Sequence, residues 1–406
     1  MNRFDVRVRK LVQGGDGFAV APDGRAMFIA GALPGELVSC ALSQEKKNFL
    51  RAEVLEVLEP SPDRVVPACP YYGRCGGCNL MHLASASQAS AKRTIVFENL
   101  RRIGGFEHND SLFNESNLEN GSECPSWGYR SRVRFHVDAE TGTVGFLGSG
   151  GTELVDIRQC PVLVPSLETL LDAGRDKLVR QARASVSGKT ERNGKSREER
   201  RSRFSGIVSQ RYAEIPVFAG DSELSFGSDI VHAAVAGKVF SVDSSVFFQS
   251  NRFVLPGLVA FVMDQVVGPR VMDLYSGVGT FSAFLEKMDL EVVAVERDPR
   301  CLELARRNLV RTDFFTGEVE RWGVGRHPAV DTVVVDPPRV GLDAEVPRMI
   351  ASWRPERIVY VSCDSVTLAR DLRKFIQRGY SPVRVKVFDF YPQTFHQETV
   401  LVLDRG

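Results

Sequence analysis

Four short apolar runs in the C-terminal third limit the possible folds of this chain most sharply: VMDLYS (271–276), VVAVER (292–297), VVVDPP (333–338) and IVYVSC (358–363). Each is apolar at successive rather than alternate positions, and each stops at small, polar or proline residues. Amphipathic helical patterns accompany them at Leu302–Val310 and Ser365–Arg378. A strand that is apolar throughout has both faces buried, and strands alternating with helices form parallel sheets covered on each side. The expectation is therefore an α/β, doubly wound sheet from about Gly268 onward. Val383–Phe388 and Thr399–Leu403 follow with no helix between them and should pair antiparallel.

Ligands of such sheets bind beyond the carboxyl ends of the strands, where the chemistry-bearing residues here collect. In Asp273-Leu274-Tyr275-Ser276-Gly277-Val278-Gly279-Thr280-Phe281, the two glycines let the backbone turn tightly and approach a ligand. Glu296 ends the next strand, where a carboxylate can accept from both hydroxyls of a ribose. The third glycine of a dinucleotide fingerprint is absent, so the crevice favours adenosylmethionine over a nicotinamide cofactor. The Pro337-Pro338 pair after Asp336 stiffens its loop and removes backbone donors, which holds Asp336 at the crevice mouth.

Cys363 ends the IVYVSC strand, and Asp364 and Ser365 offer an N-cap for the helix that follows. A thiol at a helix N-terminus is expected to lean towards thiolate. A methyltransferase has a use for one, because C5 of a pyrimidine is a poor nucleophile until sulfur adds at C6. The C5 proton must later leave, which requires a base. Glu398 in TFHQETV is the candidate and His396 the rival.

Residues 1–60 read as a small β-barrel of the oligonucleotide-binding kind. Phe4–Val12 alternates, Gly14-Gly15-Asp16-Gly17 interrupts it, and strands are suggested at Ala26–Ile29, Glu36–Ala41 and Arg51–Leu58. Pro60, Pro62 and Pro67 form a connector. Residues 61–240 read as a mixed α+β region, with helices over Ser87–Arg102 and Leu163–Gln181 and strands over Trp127–Val137 and Thr143–Leu147. Gly188–Arg203 is basic and apolar-poor, fitting a solvated loop better than an RNA-contacting arm. Residues 241–406 complete the chain as a Rossmann-like methyltransferase domain.

The eight cysteines are too few and too unevenly spread for a disulfide framework in a 406-residue chain without an export signal. Cys69, Cys75 and Cys78 have ligand-like spacing, Cys160 is the best fourth ligand, and Cys124 the second. Spacing alone leaves zinc and an iron–sulfur cluster open. Cys40 and Cys301 read as buried or incidental. No apolar run is long enough to cross a bilayer, and the N-terminus lacks a signal peptide's apolar centre, so a cytoplasmic protein without a membrane partner is expected. The net charge of +1 neither demands nor excludes nucleic acid.

The DPPR run at 336–339, VSCD with TLARD at 361–371, HQETV at 396–400 and FQSN at 248–251 together resemble the RNA 5-methyluridine (uracil-C5) methyltransferase family. The N-terminal module is similar to that family's TRAM domain, so the resemblance spans nearly the whole chain. It implies that Gln249, Tyr275, Glu296 and Asp336 contact S-adenosylmethionine, that Cys363 is the nucleophile, and that Glu398 is the base. It also implies a [4Fe-4S] cluster on Cys69, Cys75, Cys78 and Cys160, with zinc the alternative. Two departures stand out: Asp364-Ser365 replaces the usual Asn-Pro, and Thr280 stands where Asn is common. The substrate expected is a uridine in a single-stranded loop or bulge of RNA, ribosomal rather than transfer, methylated by a monomer. Arg130, Arg132 and Arg134 could hold the flanking strand or merely face solvent. Cytosine-C5 methylation, an RNA-binding protein that has lost catalysis and an oxidoreductase are the alternatives.

Overall fold

The computed structural model describes residues 3–105, 119–120, 124–191, 212–322 and 329–406. The chain divides into two compact units. The larger comprises Met1–Pro67, Asn79–Cys124 and Phe253–Gly406, and the smaller Ala68–Cys78 and Pro125–Arg252.

In the larger unit the N-terminal strands form one sheet in the order Arg3–Arg7, Leu37–Glu45, Phe49–Glu59, Ala26–Ala30, Gly17–Val20, Lys10–Leu11. Its two outermost segments are halves of a single bent strand. The Val8 and Arg9 amides at the bend donate to Glu36 and Phe18 on opposite sides, closing a five-stranded barrel. The Gly17–Val20 strand starts at the last glycine of the cluster and has no counterpart in the sequence reading. Gly17 allows it: a Cβ there would sit 2.8 Å from Val8 and 2.9 Å from the Ala32 carbonyl.

The C-terminal sheet runs Asp313–Thr316, Glu291–Glu296, Arg270–Leu274, Thr332–Val335, Arg357–Ser362, Glu398–Arg405, Tyr380–Phe388, with Glu119–Asn120 at the edge. The first five are parallel. Glu398–Arg405 turns back and inserts antiparallel between Arg357–Ser362 and Tyr380–Phe388. This insertion brings the start of the last strand beside the carboxyl end of the fifth. Asp313–Thr316, with largely exposed residues, and the helices Leu255–Asp264 and Val346–Trp353 are additions to the sequence reading.

The Ser85–Gly104 helix was expected in a central region, but it belongs to the larger unit. Val96 and Leu100 share a core with Leu368, Leu372 and Phe375, so its apolar stripe is buried against the C-terminal fold. At the other expected limit, residues 241–252 stay with the smaller unit. That unit is mixed α+β. Its antiparallel sheet runs Leu154–Asp156, Val144–Leu147, Arg132–Val137, Ala213–Ala219, Leu224–Phe226. Two helices, Pro165–Asp172 and Arg175–Glu191, replace the single one expected, with Ala173-Gly174 between them. Residues 192–203 of the basic segment lie outside the described residues. Among the described residues no helix is long and apolar enough to cross a membrane.

Candidate active site

The Arg270–Leu274 strand ends at Tyr275, whose φ of +62° is uncommon for a residue with a side chain and marks a constrained turn. Its hydroxyl donates to Glu320 at 2.8 Å. Gly277 follows with φ +56°, and its amide donates to Glu296 at 3.0 Å. The other Glu296 oxygen accepts from the Arg297 and Asp298 amides, both at 2.7 Å. Glu296 thus ties the glycine loop to the end of its own strand. Beyond lies an open cleft of about 660 Å³ whose lining includes Asp298, Thr316, Glu318 and Trp322. Thr316 and Glu318 come from the exposed edge strand and its exit, and Glu320 from the short Val319–Trp322 helix after them; the sequence reading named none of the three.

Beneath the loop Asp273 is fully buried. One of its oxygens accepts from the Ser282 hydroxyl at 2.6 Å and the Ser282 amide at 3.1 Å; the other has no partner among the described residues. Burial pushes its acid up to about 7. The buried Ser276 hydroxyl likewise lacks a partner. Gln249 belongs to the smaller unit, where its side chain is buried and its carbonyl oxygen has no partner among the described residues.

Strand register creates a thiol–carboxyl pair. Ser362 lies opposite Thr399, so the next position on each strand puts Cys363 opposite Glu398. Cys363 is half-buried and Glu398 buried. Burial raises the Glu398 acid well above the usual carboxylate range, Asp336 adds to this, and Arg339 opposes it. Asp336 is raised by its own surroundings and by Asp273. His396, the rival base, has its ring 4.1 Å from that of Phe395.

The expected thiolate bias at Cys363 is not what the structure shows. Its thiol is pushed up to about 12, first by burial and then by Glu398 and Asp336, with Arg339 opposing. The helix cannot offset this. Asp364 is its N-cap, and the carboxylate already accepts from the Val366 and Thr367 amides at 3.0 and 2.9 Å. Two of the free amides at the helix end are therefore taken up by Asp364.

The same helix, Ser365–Ile376, holds the loop that follows Asp336. Arg370 donates to the Val340 and Leu342 carbonyls at 3.0 Å, and fully buried Asp371 accepts from the Leu342 amide at 2.8 Å. Gly341 permits this closeness, since a Cβ there would lie 2.6 Å from Arg370 and Asp371. The TLARD motif is thereby a clamp on the loop carrying Arg339.

In the smaller unit, Cys69, Cys75, Cys78 and Cys160 are all half-buried. The Cys78 and Cys160 thiols are each pushed up to about 12, chiefly by burial, and the other cysteines add to it while Arg130 opposes. The Cys75 sulfur accepts from the Gly77 amide at 3.4 Å. The four thiols share a neighbourhood, yet among the described residues no three potential ligands converge to hold a metal ion. Cys124 belongs to the larger unit. Cys40 and Cys301 are buried. The three arginines have protein partners: Arg130 donates to the Arg132 carbonyl, Arg132 to Val246, and Arg134 to Glu214.

The profile of the tRNA (Uracil-5-)-methyltransferase family matches residues 326–406, and that of the TRAM domain residues 2–55. A Salmonella typhimurium protein, the 23S rRNA (uracil(1939)-C(5))-methyltransferase RlmD, is 32% identical over 98% of this chain and 96% of its own length. A Treponema denticola protein described as an uncharacterized RNA methyltransferase is 29% identical over 98% of each chain. The solved Pyrococcus abyssi tRNA (uracil-54, C5)-methyltransferase, in complex with S-adenosyl-L-homocysteine, shares the fold. Its TM-score is 0.70 at 22% identity, over 98% of this chain and 100% of that one. With its TRAM barrel, its methyltransferase sheet and a relative of this identity along nearly its whole length, the chain belongs to the RNA 5-methyluridine (uracil-C5) methyltransferase family.

Proposed function

We propose that this chain methylates C5 of a uridine in ribosomal RNA, with Cys363 as nucleophile and Glu398 as the base. The observation that carries the reading is the register placing a thiol opposite a buried acid at the carboxyl ends of the parallel strands. Addition of the Cys363 sulfur to C6 makes an enolate, whose C5 can then take a methyl group. Glu398, in its carboxylate form, accepts the proton that C5 must lose, and the C6–S bond breaks to release product and restore Cys363. Cys363 holds its own proton in the ligand-free chain and must release it to solvent before addition. Arg339 is the neighbouring cation that favours this.

Bound S-adenosylmethionine supplies an electrophilic methyl group on a cationic sulfonium. Tyr275, Glu296, Asp336 and Gln249 would hold it. In the larger unit, the oxygens of Asp273 and Ser276 that have no partner among the described residues fit a polar ligand. Asp273, Asp336 and Glu398 are acids whose ionisation burial and mutual repulsion oppose, which favours a cation among them.

The base must leave its stack to meet Cys363, so a loop or bulge is the substrate, met by a monomer in the cytoplasm. Phe18, Phe28 and Phe49 form a half-buried aromatic row on the barrel, with Lys10 over Phe18 and Arg51 over Phe28. Rings beside cations suit unpaired bases and their phosphates. The similarity to a relative named for 23S rRNA favours ribosomal over transfer RNA. Cys69, Cys75, Cys78 and Cys160 would hold a [4Fe-4S] cluster, zinc being the alternative. Such a cluster would cross-link their loops, and the push that neighbouring cysteines give the Cys78 and Cys160 thiols supports the set.

The test is transfer of labelled methyl from S-adenosylmethionine to total RNA, followed by mapping of the modified nucleotide. A single 5-methyluridine in ribosomal RNA is expected. A methylated cytosine, or no transfer at all, would overturn the assignment.

A further inference from the structure

The turn after the barrel's first strand lies within hydrogen-bond distance of both loops that carry the reacting pair. Its shape is set by the Val12 amide donating to Asp16 and the Gly15 amide donating to Val12. Gln13, at its start, meets the residues directly after Cys363 through both ends of one carboxamide. Its NH₂ donates to Asp364 at 3.3 Å, and its oxygen accepts from the Ser365 hydroxyl at 3.2 Å. Asn99 donates to the same hydroxyl at 2.9 Å.

On the other side, Asn79 joins the turn to the loop that leads into Glu398. Its side chain donates to the Gly14 carbonyl at 2.6 Å and accepts from the Phe395 amide at 3.0 Å. The Asn79 and Leu80 amides both donate to the Gln393 carbonyl. Gln393 has φ +71°, and Gln88 holds it by accepting from its amide at 2.7 Å and donating to its side chain at 3.0 Å. Gly15 is needed where it stands, since a Cβ there would lie 2.9 Å from Asn79.

We infer that Gln13 is a positioning residue, through which the N-terminal barrel fixes the Cys363 loop relative to the strand that carries Glu398. This rests on the nucleophile and base proposed above. It also gives the Asp364-Ser365 pair a physical role. The serine hydroxyl and aspartate carboxylate match the acceptor and donor ends of one amide, and a proline at 365 has no hydroxyl to give. The barrel is then part of the catalytic scaffold, whatever it contributes to holding RNA.

The test is the single-turnover rate of Cys363–RNA adduct formation on RNA carrying 5-fluorouridine, from which Glu398 cannot remove a C5 proton. Gln13→Ala removes both bonds, and adduct formation should slow about tenfold, with RNA affinity and melting temperature unchanged. Gln13→Glu sets a carboxylate against Asp364 and should slow it further. Asp364→Asn added to Gln13→Glu restores a donor facing an acceptor and keeps an N-cap, so the double variant should recover to within about threefold of the original rate. Rates within twofold of the original for both single variants would overturn the inference. So would a double variant as slow as Gln13→Glu, or a loss explained wholly by weaker RNA binding. Failure of the unaltered chain to form any adduct would instead strike the proposed nucleophile.

Discussion

Cysteines are used in two regions of this molecule, and the two are built differently. Cys363 ends a strand buried on both faces, and hydrogen-bonded register with the last strand sets it opposite Glu398. Cys69, Cys75, Cys78 and Cys160 lie outside strands, on loops of the smaller unit. The first site is aligned by backbone pairing before any ligand arrives. The second holds four thiols in one neighbourhood without drawing three potential ligands together, among the described residues, tightly enough for a metal ion. Sheet register can position a pair of side chains by itself. Loops bearing several thiols that repel one another as they ionise need a cation to finish the geometry.

The largest effects should fall on the strand-held site. Cys363→Ala should abolish methyl transfer, a loss of at least about 10⁴-fold in turnover. Residual transfer above that level, measured with labelled cofactor, would break the contrast by removing its catalytic half. Glu398→Gln should lower turnover by about 10²- to 10⁴-fold while a covalent RNA adduct accumulates, visible as a denaturation-resistant band. If no adduct builds up, Glu398 acts before sulfur addition rather than after methyl transfer.

The loop-held site should answer through composition and stability. Cys78→Ser in anaerobically purified protein should lose iron and sulfide together, and lower the melting temperature by several degrees. Zinc at one equivalent in the unaltered protein, with no sulfide, would replace the cluster by its alternative. The smallest effect is on thiol reactivity. With its thiol pushed up to about 12, Cys363 keeps its proton at neutral pH. Alkylation of the ligand-free protein, mapped to this residue, should therefore be slow at pH 7 and rise about tenfold per pH unit towards the folded value. A plateau below pH 8 would show that the helix end outweighs burial and the neighbouring acids.

Much of the strand-held site was legible in the sequence because its strands are apolar at successive positions, with few exceptions such as Asp273, and end in reactive residues. The glycine loop, Glu296, Asp336, Cys363 and Glu398 follow from that pattern and the motif resemblance. Asp313–Thr316 was not legible: it is four residues long and mostly exposed, so it carries no buried-strand signature, although its exit lines the cleft. The place of Ser85–Gly104 was equally hidden. A 3.6-residue apolar stripe announces a helix but not which core will cover it. TLARD was visible as a motif, while its clamping of the 338–342 loop required the turn at Gly341.

The sequence by itself determined the main parallel strands and the residues that end them, because these depend on local periodicity and residue type; the roles proposed for Cys363 and Glu398 rest on motif resemblance as well. Tertiary structure alone decided the protonation of Cys363 and the company it keeps. Ionisation responds to burial and to acids from distant strands, and Gln13 meets Asp364 across 351 positions of chain. Neither leaves a mark in the residues next to either partner.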